Sequence, residues 1–231
     1  MRRTTLVLAL ALTIGLFGPV ATPSIGDESV GPGGGTPGTS SGFELVGHEP
    51  LFARGMNAAL TVSDGFVYVG NRTDGSSRCG LGDPRRETLG LDACPHPHPG
   101  ILVVDATNPA APQVVNEIGQ PYAGNPSETT RELRIWQRED LLIVLSFACS
   151  SVIHSCVPGP VIPRFRFFDI SDPANPTFIS EWIPRQANGT VRVPHEFYLW
   201  EDPNDPERAL IFAGNASSTC ATRGGAPSCP F

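Results

Sequence analysis

The sequence predicts an all-β chain assembled from repeated antiparallel units of four strands, and three observations carry that prediction. The first is a stretch written twice: ILVVDATNPAAPQVVNEI, Ile101 to Ile118, returns as FRFFDISDPANPTFISEW, Phe165 to Trp182. Asp105 falls on Asp169, Pro109 on Pro173, Ala110 on Ala174 and Pro112 on Pro176, all at one offset of 64 residues. The second is that the flanks keep the register. TRELRIW, Thr130 to Trp136, lies over PHEFYLW, Pro194 to Trp200, so that Arg131 matches His195 and Glu132 matches Glu196. The third is composition: 24 Pro and 25 Gly in 231 residues, with no sustained helical period of apolar residues, indicate many turns and little or no helix.

Each element of the unit has a local reason. Ile101 to Val104 and Phe165 to Phe168, the latter interrupted by Arg166, are apolar runs that read as strands buried on both faces. The closing Asp105 or Asp169 can accept bonds from the turn backbone, and two prolines three apart stiffen the reversal into the next strand. Upstream, each polar-headed strand (Thr130 to Trp136; Pro194 to Trp200) is followed by a second apolar strand, Leu141 to Val144 or Ala209 to Phe212. An earlier version, MNAALTVSDGFVYV, puts Asn57 on the Glu132 position when Phe66 to Val69 is laid on Leu141 to Val144.

Tandem four-stranded units of roughly 50 to 65 residues read as blades of a β-propeller. The expected fold is therefore an incomplete propeller of about two to three blades, approximately residues 43–119, 120–183 and 184–231, the last incomplete. ILVVD and FRFFD, each followed by an Asp-Pro-Ala-x-Pro or Asn-Pro-Ala-x-Pro turn, resemble the LVIVD-repeat propellers over residues 43 to 231. That resemblance implies a secreted or surface protein and is nearly silent on activity. Phe165, Arg166 and Phe168 depart from the aliphatic consensus of the family.

Residues 1–24 read as an export signal: Arg2 and Arg3, an uncharged run from Thr4 to Val20, then small residues from Ala21 to Ser24. The run is too short to favour a membrane span, so no span is expected after cleavage. Residues 25–42 are a Gly/Pro/Ser-rich linker. Within it, Gly38 to Gly42 matches G-x-S-x-G by chance, with no strand before or helix after it. Phe43 to Leu51 reads as the outermost strand of a blade, and the third unit lacks its last two strands before Phe231. The expectation is an N-terminal fragment of a longer propeller, its ring closed by further blades or by other copies.

The net charge of −7 argues against nucleic acid as a partner. All 16 basic residues are Arg, which excludes lysine chemistry such as a Schiff base or a phosphate-binding loop lysine. Six cysteines fall as close pairs, Cys79 with Cys94, Cys149 with Cys156 and Cys220 with Cys229. Fifteen pairings are open; the sequential one gives every unit the same staple, closing loops worth on the order of 2 to 3 kcal/mol each in an oxidising compartment. A zinc site lacks C-x-x-C spacing. Sequons at Asn71, Asn188 and Asn215 read as loop positions.

In a propeller, the loops after the second strands and the heads of the innermost strands share one mouth of the central channel. Arg131, Glu132, His195, Glu196 and Asn57 are thereby the candidate ligand contacts. Two readings stand: recognition of a ligand, or mutual satisfaction of polar groups that any propeller carries along its axis. His96-Pro97-His98 could chelate zinc or copper, or be a solvated loop; EDPNDPE, Glu201 to Glu207, could hold calcium or be a polar turn. No cofactor and no catalytic residue is expected. The functional expectation is an exported binding module for a protein, glycan or small-molecule ligand. The alternative is a channel-centred metal-dependent enzyme whose other ligands lie outside this chain.

Overall fold

The computed structural model describes residues 44–54, 57–72, 75–76, 78–79, 85–90, 94–121, 127–149, 161–215, 221–223 and 226–228. The signal and linker segments, Met56, Cys156, Cys220 and Cys229 lie outside the described residues. The described residues are mostly strand and antiparallel throughout.

A first module is the meander β1 (Asn57–Ser63), β2 (Phe66–Asn71), β3 (Ile101–Asp105) and β4 (Gln113–Ile118), each strand pairing antiparallel with the next. A second repeats it with β5 (Glu128–Trp136), β6 (Leu141–Ala148), β7 (Arg164–Asp169) and β8 (Thr177–Trp182). The two form one curled sheet through a single bridge, Asn71 to Thr130. A third module begins with the hairpin of β9 (Pro194–Glu201) and β10 (Ala209–Asn215), and β11 (Ala221–Arg223) pairs with β12 (Ala226–Ser228). Among the described residues helix is confined to α1 (Arg85–Leu89) and two 3-10 turns, Leu51–Ala53 and Gln137–Glu139.

The repeat extends to its irregularities. In the first strand of every module one extra residue interrupts the ladder near the head: between Asn57 and Leu60, at Arg131, and at His195. The last pair of strands repeats this at Val115 in the first module and Ile179 in the second. The turns also match. Asp105 Oδ1 accepts the Thr107 N–H at 2.9 Å and Asp169 Oδ1 accepts the Ser171 N–H at 2.8 Å, while Asn108 and Asp172 accept from Ala110 and Ala174, each at 3.2 Å. The Thr107 hydroxyl, donating at 2.6 Å, and then the Thr107 N–H hold Asp105 below the usual carboxylate range, and the Ser171 N–H and hydroxyl do the same for Asp169.

A module is a single sheet and cannot bury both faces alone. Tyr68, Ile101 and Val103 of the first module pack on Leu133, Ile135, Leu142, Val144 and Phe168 of the second. The other face of the second module, Ile143, Leu145 and Phe165, packs on Phe197, with Leu199 and Ile211 against it. The Tyr68 hydroxyl donates to the Pro173 carbonyl at 3.0 Å, and the Asn116 side chain donates to the Ala174 carbonyl at 3.0 Å, so the second module's Pro-Ala turn is tied to the first.

Residues 44–50 form no strand, correcting the expectation for Phe43 to Leu51. The backbone at Gly47 lies against the 109–112 turn, where a Cβ would stand 2.1 Å from the Pro109 carbonyl oxygen. Leu51, Phe52 and Ala53 then take φ values of 52°, 57° and 50°, a left-handed turn that no strand can contain. This turn delivers Arg54, 3% exposed, into the first module. Its guanidinium donates to Asn57 Oδ1 and to the carbonyls of His98, Gly100, Val69 and Gly70 at 2.7 to 3.0 Å. Burial pulls its pKa down to about 10, with Glu117 opposing. Asn71 is the buried last residue of β2 and donates its side-chain amide to the Pro99 carbonyl at 3.0 Å, so this sequon is not in a loop. Asn188 is exposed, accepting the Thr190 N–H.

Tyr68 carries the first prediction. Burial, then Asp64, Asp172 and Asp140, push its phenol up to about 12. A raised folded pKa means the folded state holds the proton more tightly, so stability is full below pH of about 10 and falls as pH climbs toward 12. Tyr68→Phe should remove that alkaline loss and cost about 1 kcal/mol at neutral pH, read from urea midpoints across the pH range. Arg54→Ala, which strands four backbone carbonyls, should cost about 3 kcal/mol or more. Arg54→Lys should restore less than half of it, since an ammonium cannot span the same acceptors.

Candidate functional site

The site is built by the bulges at the heads of β5 and β9. An extra residue breaks the in-out alternation and re-aims the side chain it carries. Because the bulge falls at the same place in both modules, Arg131 and His195 are turned toward one another, with the Arg131 Nη2 donor 3.2 Å from His195 Nδ1. An imidazole accepting there is neutral at Nδ1.

The surroundings favour that state. Burial lowers the His195 pKa first and the Arg131 charge lowers it further; Glu196 opposes, Arg72 adds to the lowering and Glu132 opposes. Arg131 is lowered by burial and by Arg72, with Glu132 and Glu196 opposing. Its guanidinium lies 5.1 Å from the Phe147 ring centre, and the His195 ring is tilted 6.4 Å from the same ring. Glu132 forms its ion pair with Arg134 rather than with Arg131, and Arg134 also donates to the Leu133 carbonyl at 2.7 Å and lies 5.8 Å from the Phe197 ring centre. Glu132, Arg134, Glu196, Tyr198 and Phe212 line an open cleft of about 340 Å³.

Four of the five expected contacts thus converge, and Asn57 does not join them. The turn Asp64-Gly65 is two residues shorter than the one closing β5 and β6, so by pairing Asn57 stands opposite Asn71 as Thr130 stands opposite Ser146. It occupies the Thr130 position, not that of Glu132, and its side chain accepts from Arg54. Arg72, Arg134 and Phe147 went unread in the sequence. Arg134 sits two residues from Glu132 on the same strand face, a spacing that could have indicated it. Arg72 and Phe147 are brought in by tertiary structure alone.

The two histidines of His96-Pro97-His98 are separated in role. His96 is buried, not solvated, and its backbone N–H donates to the Ser76 carbonyl at 3.0 Å. His98 takes φ 59°, stacks on Phe52 at 4.2 Å and places Nδ1 2.8 Å from Glu117 Oε2. Among the described residues no group of three or more His, Cys, Asp or Glu could hold a metal ion. In the Glu201 to Glu207 turn, Asp202 and Asp205 accept from the backbone of Asn204 and Glu207, and Asp202 pairs with Arg208. Cys79 and Cys94 form a buried disulfide after β2, as the sequential pairing requires, and Cys149 is disulfide-bonded as well.

What the cluster offers chemically is a guanidinium and a neutral imidazole beside the Phe147 ring, with the carboxylates of Glu132 and Glu196 within electrostatic reach of both. That is equipment for hydrogen-bonded recognition. The chain matches no protein-family model and no curated protein sequence.

His195 should titrate below the ordinary histidine value of about 6.5. A depressed folded pKa makes its contribution to stability present above the unfolded value and lost as pH falls through the folded one. Arg131→Ala removes a cation and opens the ring to water, so the His195 titration in NMR should move upward toward the ordinary value. An unchanged titration would mean the 3.2 Å contact is not made in solution.

Proposed function

We propose that this chain belongs to an exported β-propeller of the LVIVD-repeat kind and acts as a binding module, recognising its ligand where Arg131, Glu132, His195 and Glu196 meet. The fold reading is supported by four-stranded antiparallel meanders in chain order, and by the contacts of β1 with β5 and of β5 with β9, which set the first strands of successive modules side by side. Export is supported by the Arg2-Arg3 leader and by the Cys79–Cys94 disulfide, which suits an oxidising compartment. No described helix is long and apolar enough to cross a membrane.

The observation that carries the binding reading is the repeated bulge. It spends an irregularity in each of two adjacent modules to bring Arg131 and His195 within 3.2 Å at a solvent-facing strand head. Bulges of this kind re-aim side chains at sites of function.

The wild-type chain and the quadruple variant Arg131→Ala, Glu132→Ala, His195→Ala, Glu196→Ala are to be compared on a printed glycan array and in thermal-shift screens of small anions and amines. Hits seen with the wild type should weaken by tenfold or more, about 1.4 kcal/mol, in a variant whose circular dichroism is unchanged. Retention of every hit at wild-type strength would remove the site from the reading.

A further inference from the structure

The register equates positions across the three modules, and among the described residues their burial follows whether another module covers them. Leu60, Leu133 and Phe197 are equivalent, paired with Val69, Val144 and Ala213 respectively. Leu133 is 0% exposed and Phe197 3%, since each packs on the preceding module, whereas Leu60 is 59% exposed. Val62, two residues on, is exposed in the same way. On the opposite face Tyr68, Ile143 and Phe212 are equivalent; Tyr68 and Ile143 are 0% and 2% exposed beneath the following module, and Phe212 is 56% exposed. Around Phe212 stand Tyr198, its cross-strand partner, and Leu210, both exposed apolar side chains.

The described residues therefore present two uncovered apolar faces, the front of the first module and the rear of the third. They are not alike, so neither is suited to pair with itself. Each is instead the half of an interface that occurs twice within the chain, front against rear, at the joints between first and second and between second and third modules. We infer that these faces take one another in a second copy of this chain: the Phe212 face of one copy covers the Leu60 face of the next. The contact is heterologous, head to tail, and by the same rule that builds the sheet stack it extends the stack across chains. Large apolar patches left bare would otherwise be an aggregation hazard. This inference rests on the equivalence of register and not on the ligand reading; since Tyr198 and Phe212 also line the cleft, the two are separated by Leu60→Glu, which lies outside it and should abolish association with ligand binding unchanged.

The test uses the disulfide-bonded chain in sedimentation equilibrium, with Leu60→Glu and Phe212→Glu made separately. Both side chains are more than half exposed, so the substitutions should leave the circular dichroism unchanged. The wild type should show a mass rising with concentration above one chain. Each variant keeps one usable face and should be a monomer alone. An equimolar mixture should double in mass and go no further, because Leu60→Glu supplies the rear face and Phe212→Glu the front. A wild type that stays monomeric to its solubility limit, a single variant that associates like the wild type, or a mixture that stays monomeric would each overturn the inference.

Discussion

Face-to-face apolar packing between sheets is the constraint on which the rest of the structure depends. A four-stranded meander has two faces and no interior, so Leu133 and Ile135 are buried only because Tyr68, Ile101 and Val103 lie against them. The second module is sandwiched, and its strands are correspondingly apolar on both sides: Leu142 and Val144 face one neighbour, Ile143 and Leu145 the other. This is why β6 reads as an unbroken apolar run where an ordinary half-buried strand would alternate. Stability is shared between neighbours rather than held within any one module.

The strand heads answer a different demand. Toward the turn end, the ladder of each module's first two strands is regular and packing fixes the side chains. Toward the head, a bulge in the first strand frees one residue from the pleat, and the polar groups of adjacent modules meet there. The same geometry that stacks the sheets thus places Arg131 beside His195, although 64 residues separate them in the chain. Rigidity below and irregularity above are two parts of one design, with the packed faces fixing the positions from which the polar groups reach out.

Much of this was legible in the sequence because a repeat makes one set of residues testify about another. The Asn-Pro-Ala and Asp-Pro-Ala turns, the strand order and the equivalence of Arg131 with His195 all followed from the offset shared by Asp105 and Asp169, whereas their direct contact did not. What the repeat could not convey was anything that depends on turn length or on a neighbour outside the alignment. Asn57 was misplaced because Asp64-Gly65, with φ 49° and 81°, closes its hairpin in two residues. Residues 44–50 look apolar enough for a strand, but the left-handed turn at Leu51–Ala53 and the seat of Gly47 on the 109–112 turn rule that out. Nothing in the sequence marks Arg54, whose five guanidinium bonds end on Asn57 and on four backbone carbonyls, three of them in buried residues. Glu132 chose Arg134 over Arg131 for a similar reason: partners on one strand face compete by geometry, which spacing alone does not rank.

The burial of Asn71 has a consequence for how the chain can be made. In its sequon the amide that would carry a sugar instead donates to the Pro99 carbonyl, at the bridge where the two complete modules join. Oligosaccharide transfer in eukaryotic secretion acts on a nascent, still open polypeptide, before that bridge exists. A chain so decorated would carry a bulky polar tree at its central seam and could not close it. Folding therefore favours production where no such transferase meets the emerging chain.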